Sequence, residues 1–238
     1  NGFDISCIGY NDGGIDLTVS GSVPGYSYLW DNNEVTEDIT NASSGFNSVS
    51  ITDANSCTIS TSILLDEPTA LQTTIVSTTD YNGFDISCIG YNDGGIDLTV
   101  SGSVPGYTYL WNTTDLTEDI GNLSEGTYSV DVTDINSCTT STSIVLSEPS
   151  FYTNPIIVPI SCFGYDDGEI SLNPIGDNAP FSFSWIGPNG TMPNNSSIIS
   201  SLSPGSYEVT ASDIYGCLVS ETYLIEEPTP LQTPIVCT

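Results

Sequence analysis

The residues that could do chemistry are concentrated in a loop that the chain carries three times. The loop reads CIGYNDGG at residues 7–14 and again at 88–95, and CFGYDDG at residues 162–168. Each copy offers a thiol, a tyrosine ring that could stack on a sugar, and clustered Asp and Asn oxygens of the kind that Ca²⁺ prefers. The first copy belongs to a longer stretch, residues 1–26, that recurs at residues 82–107 without a difference.

Two interpretations of the acidic part of this loop are open. The candidate calcium ligands are Asn11, Asp12, Asp16, Asn92, Asp93, Asp97, Asp166 and Asp167. Their spacing differs from that of an EF-hand, and Ser171 stands in the third copy where Asp16 and Asp97 stand in the others. The alternative is a tight hairpin turn in which Asn-Asp-Gly supplies a positive φ. Calcium is the one cofactor that these residues suggest.

The charge composition excludes most catalytic chemistry. The 238 residues include 30 Asp and Glu but no Lys, Arg or His, so the net charge is −30. Without these residues there is no Ser-His-Asp triad, no Schiff-base lysine and no cationic patch for phosphates, so we expect no nucleic-acid partner. The acidic residues are spread evenly with the repeat rather than gathered in one place, and we therefore expect no enzyme. No run of about 18 apolar residues occurs, and we expect no membrane insertion.

Six of the seven cysteines recur with the loop. Cys7 and Cys57 return 81 residues later as Cys88 and Cys138, and Cys162 and Cys217 form a third set. From this repeat we predict one disulfide within each module, in an oxidising compartment. The predicted pairs are Cys7–Cys57, Cys88–Cys138 and Cys162–Cys217. The seventh cysteine, Cys237, is left as a free thiol or an intermolecular partner.

Glu-Pro pairs at residues 67–68, 148–149 and 227–228 mark the ends of the modules, because proline cannot donate to a strand ladder. We place module 1 at residues 1–69, with its first strand missing, module 2 at 70–150 and module 3 at 151–229. Residues 230–238 are then a linker, or a donor strand for a following module. Because the repeat frame is cut at both ends, head-to-tail self-association and continuation in a longer chain are both open.

The pattern between the turns is that of strands. IDLTVSG alternates apolar and polar residues, CTISTSILL is rich in β-branched residues, and no segment has a helical period. The sequence predicts an all-β fold, a tandem array of three immunoglobulin-like β-sandwich modules with one disulfide each. The predicted core aromatic residues are Trp30, Trp111 and Trp185, which end alternating strands. The residues predicted to cap the turn before each second cysteine are Asp53, Asp134 and Asp213.

The order of these markers resembles a known family. The stretch ISCIGYNDGGIDLTVSGSVPGYTYLW, the LSEGTYSVDVTD turn and strand, the second cysteine and the closing Glu-Pro are similar to the SprB repeat. The resemblance covers nearly the whole chain. Module 1 departs from it at Asn47, where the other modules have Tyr128 and Tyr207. SprB repeats occur in tandem in giant surface adhesins of gliding bacteria that are exported by the type IX secretion route. The resemblance therefore implies an extracellular, cell-surface filament used in attachment and movement, without catalytic chemistry.

A second function is a glycan-binding adhesin, with or without calcium, in which Tyr10, Tyr91 and Tyr165 of the repeated loops stack on sugars. Surface glycans would then be partners. The chain itself also offers acceptor sequences for glycosylation. These candidate acceptors are Asn41, Asn112, Asn122, Asn189, Asn194 and Asn195.

Overall fold

The computed structural model describes residues 2–233, and these form strands and turns without an α-helix. The predicted all-β fold is confirmed. Module 1 contains β1 (Gly13–Ile15), β2 (Ser27–Trp30), β3 (Ile39–Ala42), β4 (Gly45–Thr52) and β5 (Thr58–Leu65). Module 2 contains β6 (Gln72–Ser77), β7 (Gly94–Ser101), β8 (Thr108–Trp111), β9 (Ile120–Leu123), β10 (Gly126–Thr133) and β11 (Thr139–Leu146).

Module 3 has the most strands. They are β12 (Phe151–Thr153), β13 (Ile156–Val158), β14 (Gly168–Ser171), β15 (Pro174–Gly176), β16 (Ser182–Gly187), β17 (Gly190–Thr191), β18 (Ile198–Leu202), β19 (Gly205–Ser212) and β20 (Leu218–Ile225). The long strands follow the period of two that the sequence predicts. In β4, for example, Asn47, Val49 and Ile51 are buried while Phe46, Ser48 and Ser50 are exposed or half-buried.

Each module contributes two kinds of sheet. One contains the tryptophan strand, in the orders β2-β4-β5, β8-β10-β11 and β17-β16-β19-β20. The other begins after the cysteine loop, in the orders β1-β3, β6-β7-β9 and β13-β14-β18, with a small β12-β15 sheet added in module 3. Neighbouring strands run antiparallel, as in the pairs β4 with β5 and β19 with β20. Within the described residues, β1 has one sheet partner, whereas β7 and β14 each have two.

The described residues divide into two compact units. Unit 1 comprises residues 2–76, 96–120 and 127–144, and unit 2 comprises residues 77–95, 121–126 and 145–233. Module 1 therefore lies in unit 1 and module 3 in unit 2, while the sequence of module 2 is divided between them. The module boundaries at residues 69, 150 and 229 stay a prediction from the repeat.

The core of module 1 lies between its two sheets. Ile15 and Ile39 from one sheet pack with Trp30, Val49 and Leu65 from the other. Module 3 builds its core in the same way from Ile170, Ile199, Trp185, Val209 and Ile225. Modules 1 and 3 are thus two-layer sandwiches, each small enough to gain from extra cross-links.

The middle module buries residues at the matching places in its sequence. Ile86, Ile96, Leu98, Trp111, Val130 and Leu146 are each at most 1% exposed. The same apolar pattern therefore directs burial in all three modules.

Candidate functional site: the disulfide joints between modules

The repeated cysteine loop is held in one shape by the carboxylate of its Asn-Asp-Gly segment. In module 1, Asp12 accepts hydrogen bonds from the backbone N–H of Ser6, at 3.1 Å, and from the Ser6 hydroxyl. Asp93 and Asp167 accept the same pair of bonds from Ser87 and Ser161. The hydroxyl and the N–H stabilise the ionised form, so the pKa of Asp12 lies below its ordinary value. The predicted calcium residue is therefore occupied in fastening its own loop.

A second carboxylate fastens the tip of the loop. The glutamate of each Glu-Pro pair binds the glycine that lies two residues after the first cysteine of the module. The backbone N–H groups of Gly9, Gly90 and Gly164 donate to Glu67, Glu148 and Glu227, at 2.6, 2.7 and 2.5 Å. These glycines have φ of 74°, 71° and 82°, which a side chain would strain. The sequence predicts the Glu-Pro pairs only as strand ends. The one signal for this contact is the separation of 58 residues between the glycine and the glutamate, which is the same in modules 1 and 2.

The hairpin interpretation of Asn-Asp-Gly is wrong. The positive φ belongs to Gly9 and its equivalents, while Gly13 starts strand β1. Gly13 is required for another reason: a Cβ there would lie 2.7 Å from Ile5 Cδ1 and 2.8 Å from Leu65 Cδ1. Gly94 and Gly168 are equally crowded by core side chains. Because glycine has no side chain, the backbone at this position can lie directly against core side chains. The glycine is not needed to reverse the chain direction.

The second cysteine of each module ends a turn that a buried aspartate caps, and this prediction is confirmed. Asp134 Oδ1 accepts the N–H of Asn136 at 2.9 Å and the N–H of Cys138 at 2.8 Å. Asp53 and Asp213 make the matching bonds in the other modules. Burial acts to raise the pKa of Asp134, but the Ser103 hydroxyl and the Cys138 N–H outweigh it, so the pKa lies below its ordinary value.

The disulfides join consecutive modules, and the predicted pairing within modules is wrong. Cys7 pairs with Cys138 in unit 1, and Cys88 pairs with Cys217 in unit 2. The first cysteine of one module thus pairs with the second cysteine of the next. The predicted partners Cys57 and Cys162 are exposed free thiols. Translation by 81 residues makes Cys57 and Cys138 equivalent in local sequence, so only their placement in space distinguishes them.

The first joint, around Cys7–Cys138, is largely polar. The side-chain amide of Asn136 donates to the Ser6 carbonyl at 3.1 Å. The Thr69 carbonyl accepts from the Ser103 N–H at 3.0 Å, and a Cβ on Gly102 would lie 2.0 Å from the Ala70 carbonyl oxygen. A cavity of about 180 Å³ remains beside the disulfide, lined by Ile8, Tyr10, Leu71, Thr139 and other residues.

The second joint, around Cys88–Cys217, is largely aromatic. Phe151 is buried in a cluster with the disulfide and Ala211, and its ring stacks on Phe181 with the centroids 5.0 Å apart. Tyr215 replaces Asn136 and meets the Tyr81 ring edge-on at 5.8 Å. Asp177 holds the segment that leads into Phe151, because its carboxylate accepts hydrogen bonds from the hydroxyl and the N–H of Ser150. These two bonds lower the pKa of Asp177.

The candidate calcium ligands lie in and just after the repeated loops, and calcium binding stays a prediction. Among residues 2–233, no three acidic, cysteine or histidine side chains come together in a way that could hold a metal ion. Asp12, Asp93 and Asp167 accept hydrogen bonds from serines, Asp16 is exposed directly after β1, and Asp97 is exposed within β7. The remaining candidates, Asn11, Asn92 and Asp166, are exposed loop residues.

The three tryptophans lie in the cores and are 2% exposed or less. The indole N–H groups of Trp30, Trp111 and Trp185 donate to the carbonyls of Thr36, Thr117 and Ser196, each at 2.9 Å. Each buried indole N–H therefore has a hydrogen-bond acceptor, as is typical of a tryptophan that packs in a core.

The predicted glycan acceptors are all exposed: Asn41, Asn112, Asn122, Asn189, Asn194 and Asn195. The Asn112 amide nitrogen, however, donates to the Thr127 carbonyl at 3.0 Å. Cys237 and residues 234–238 of the predicted donor segment lie outside the described residues. The described part of the chain has no helix long and apolar enough to span a membrane.

Comparison with known families identifies the repeat. The family model described as SprB repeat matches residues 4–35, 84–116 and 154–190, which include the first cysteine and the tryptophan of every module. No curated protein matches the chain.

Solved structures with some likeness include extracellular domains 3–5 of Drosophila OTK, at 12% identity, 86% coverage of both chains and a TM-score of 0.30. The amphioxus IgVJ-C2 molecule has 15% identity, 91% coverage of this chain and 97% of that chain, and a TM-score of 0.26. A tetra-tandem repeat in the extending region of a large adhesion protein has 13% identity, 94% and 73% coverage, and a TM-score of 0.26.

Proposed function

Because the chain carries three SprB repeats, we propose that it is a non-enzymatic extracellular structural protein that forms or extends a surface filament used in adhesion. The observation that carries this proposal is the pairing of cysteines across modules. A disulfide within a module stabilises that module alone, whereas Cys7–Cys138 and Cys88–Cys217 fasten each module to the next. Such cross-links suit a protein whose work is to transmit tension.

The two disulfides overlap along the sequence, and this overlap sets where the chain can yield. Tension applied at Cys7 passes through sulfur to Cys138, along the chain back to Cys88, and through sulfur to Cys217. Neither joint can open without breaking a covalent bond. Extension must come from the 50 residues between Cys88 and Cys138, which means unfolding the middle module.

Electrostatics make covalent joints useful. The net charge of −30 has no cationic side chain to offset it, so neighbouring modules repel one another at low salt. The acidic residues nearest the joints, such as Glu67, Asp134 and Asp213, accept N–H groups within their own modules. The disulfides hold consecutive modules together against the remaining repulsion. Their presence also supports an extracellular location, since disulfides persist in oxidising surroundings.

Single-molecule force spectroscopy tests the load path. We expect the oxidised chain to extend by about 170 Å between Cys7 and Cys217 after complete unfolding, because a chain spans about 3.4 Å per residue. The double variant Cys7→Ser/Cys138→Ser keeps one disulfide and should reach about 280 Å, because 81 residues then separate Cys7 from Cys88. The fully reduced chain should reach about 700 Å. Equal lengths for the oxidised chain and the double variant would contradict the proposed path.

Electron microscopy of native surface material tests the filament itself. We expect filaments whose axial repeat corresponds to one module or to three, labelled along their length by an antibody against the chain. Label confined to isolated particles or to the cell interior would contradict the proposal.

A glycan-binding role is a second proposal, supported by the exposure of the loop tyrosines. Tyr10, Tyr91 and Tyr165 are 55%, 50% and 58% exposed. A glycan array with and without a calcium chelator separates the two functions. Binding that Tyr165→Ala abolishes would favour the lectin, and binding that is lost with the chelator would support a calcium role. No binding in either condition would favour the structural function alone.

A further inference from the structure

The two free cysteines are the unpaired members of the pattern that builds both joints, and we propose that Cys162 of one copy of the chain forms a disulfide with Cys57 of a second copy. In each existing joint, a first cysteine pairs with the second cysteine of another module. Cys162 is the remaining first cysteine and Cys57 the remaining second cysteine, and both are exposed thiols. This inference rests on the proposed filament and names the contact that would propagate it.

The Cys162 loop has the same internal structure as the two loops that are already paired. Asp167 accepts the N–H of Ser161 at 3.0 Å, as Asp12 does from Ser6 at 3.1 Å. The Tyr165 N–H donates to the Cys162 carbonyl at 3.1 Å, and the matching bond at Cys7 is also 3.1 Å long. The loop is therefore ready to present its thiol without rearrangement.

The Cys57 turn likewise matches the two turns that are already paired. Asp53 Oδ1 accepts the Cys57 N–H at 2.8 Å, the same length as the bond from the Cys138 N–H to Asp134. The pKa of Asp53 is lowered by the Ser22 hydroxyl, so the cap is ionised at neutral pH. The acceptor half of a joint is thus complete at the free cysteine.

A groove beside Cys57 shares part of its lining with the cavity that a cysteine loop meets in the first joint. The groove measures about 260 Å³ and is lined by Ser22, Cys57 and Thr58, together with apolar Val19, Tyr26, Ile51 and Ile59. The residues 81 positions later, Ser103, Cys138 and Thr139, line the cavity that Cys7, Ile8 and Tyr10 share. A Cys-Phe-Gly-Tyr loop is therefore the occupant that this groove fits.

The segment after the third Glu-Pro pair is also exposed where its equivalents are covered. Pro68 and Pro149 are buried, whereas Pro228 is exposed, and Leu231 is fully exposed while the equivalent Leu71 is half-buried. In the first joint the segment at Thr69 and Ala70 lies against Ser103 and Gly102 of the next module. Residues 229–231 of one copy would lie in the same way against Gly21 and Ser22 of another.

The bond forms by thiol–disulfide exchange with a small-molecule disulfide. The thiolate of Cys162 or Cys57 attacks oxidised glutathione and releases one glutathione thiolate, which leaves a mixed disulfide. The other cysteine thiolate then attacks that mixed disulfide and releases the second glutathione. Two protein thiols are oxidised to one disulfide, and one glutathione disulfide is reduced to two thiols.

The test uses the full chain in a Cys237→Ser background, with two free thiols confirmed by titration. We expect oxidised glutathione to give a ladder of multiples of 25.2 kDa on a non-reducing gel. Peptide mapping with a protease that cuts after acidic residues, since the chain lacks Lys and Arg, should identify the Cys57–Cys162 peptide. A mixture of Cys57→Ser and Cys162→Ser copies should stop at a dimer, because each copy then offers one half of a joint.

A matched control moves the thiol out of the groove. The variant Cys57→Ser/Ser60→Cys keeps an exposed thiol three residues away on β5, and we expect it to give no ladder. A monomer with an internal Cys57–Cys162 bond, a Cys57–Cys57 dimer, or an equal ladder from the control would overturn the proposal. Filaments that persist with Cys57→Ser would overturn this contact while leaving the proposed function intact. Conversely, a specific ladder together with an absence of filaments on native cells would support the disulfide contact and contradict the proposed filament.

Discussion

At the first joint, Asn136 donates a hydrogen bond to the Ser6 carbonyl, whereas at the second joint Tyr215 occupies the matching position and meets the Tyr81 ring. Ala70 lies beside the first disulfide, and the equivalent Phe151 is buried beside the second. Yet both joints have the same disulfide, the same capped turn and the same glutamate-fastened loop. The comparison teaches that the loop and the turn define a joint, while the side chains around it can change from polar to aromatic.

The largest expected effect comes from removing each disulfide. The chain-entropy model assigns about 5 kcal/mol to a cross-link that closes a loop of either length, 131 or 129 residues. Cys7→Ser and Cys88→Ser should therefore lower the free energy of unfolding by similar amounts, measured by urea denaturation. Hydrogen exchange should separate them: the Cys7 loop should lose more protection than the Cys88 loop, because the aromatic contacts of the Cys88 joint remain. An equal loss of protection in the two loops would mean that the aromatic contacts of the second joint do not stabilise its loop.

Phe151→Ala makes the second joint resemble the first. It removes a buried ring stacked on Phe181, and we expect a loss of about 3 kcal/mol or more in the free energy of unfolding. Tyr152→Ala is the control, since that neighbouring side chain is 51% exposed and should change stability by less than about 1 kcal/mol. Similar losses in both variants would show that the aromatic cluster is not what holds this joint.

The capping aspartate should stabilise both joints, and more so the first, where Asp134 also accepts the Ser103 hydroxyl and the Val104 N–H. Asp134→Asn and Asp213→Asn each weaken the acceptor of two backbone N–H groups, and we expect about 1–2 kcal/mol from each. Because the pKa of Asp134 is lowered on folding, its contribution is present above the ordinary pKa of 3.8 and is lost as the pH falls through the folded value. The difference between wild type and Asp134→Asn should therefore shrink in acid denaturation measured below pH 4. A difference independent of pH would rule out the charged cap.

The smallest effect is specific to unit 2. Burial and a hydrogen bond to Glu221 raise the pKa of Tyr223 to about 12. A raised pKa means that stability is complete below the ordinary value of 10.0 and is lost as the pH rises toward 12. Since the Tyr223 hydroxyl also contacts Thr153 of β12, the strand that carries Phe151 should loosen with it.

Thermal unfolding between pH 9 and pH 12 measures this effect. Tyr223→Phe should remove the part of the alkaline loss that belongs to this tyrosine. If wild type and Tyr223→Phe lose stability in parallel, Tyr223 does not set the alkaline limit of the unit.

Much of the local structure follows from the sequence. The alternating pattern predicted that Trp30, Trp111 and Trp185 lie in the cores, and the Asp-x-x-x-Cys spacing predicted the capped turn at Asp53. These features depend on residues close together in the chain. The role of Glu67 was missed, because its partner Gly9 lies 58 residues away and nothing local to the Glu-Pro pair points to it.

The sequence by itself determined that the cysteines fall into two classes, one on a loop and one after a capped turn, because each class has its own local neighbours in every module. It could not determine which member of one class meets which member of the other, since a repeat presents the same neighbours in each copy. Only the tertiary structure decided this, by bringing the Cα atoms of Cys7 and Cys138 to 5.7 Å and those of Cys88 and Cys217 to 5.4 Å. A disulfide forms where two sulfurs can reach one another, and that distance is a property of how modules pack.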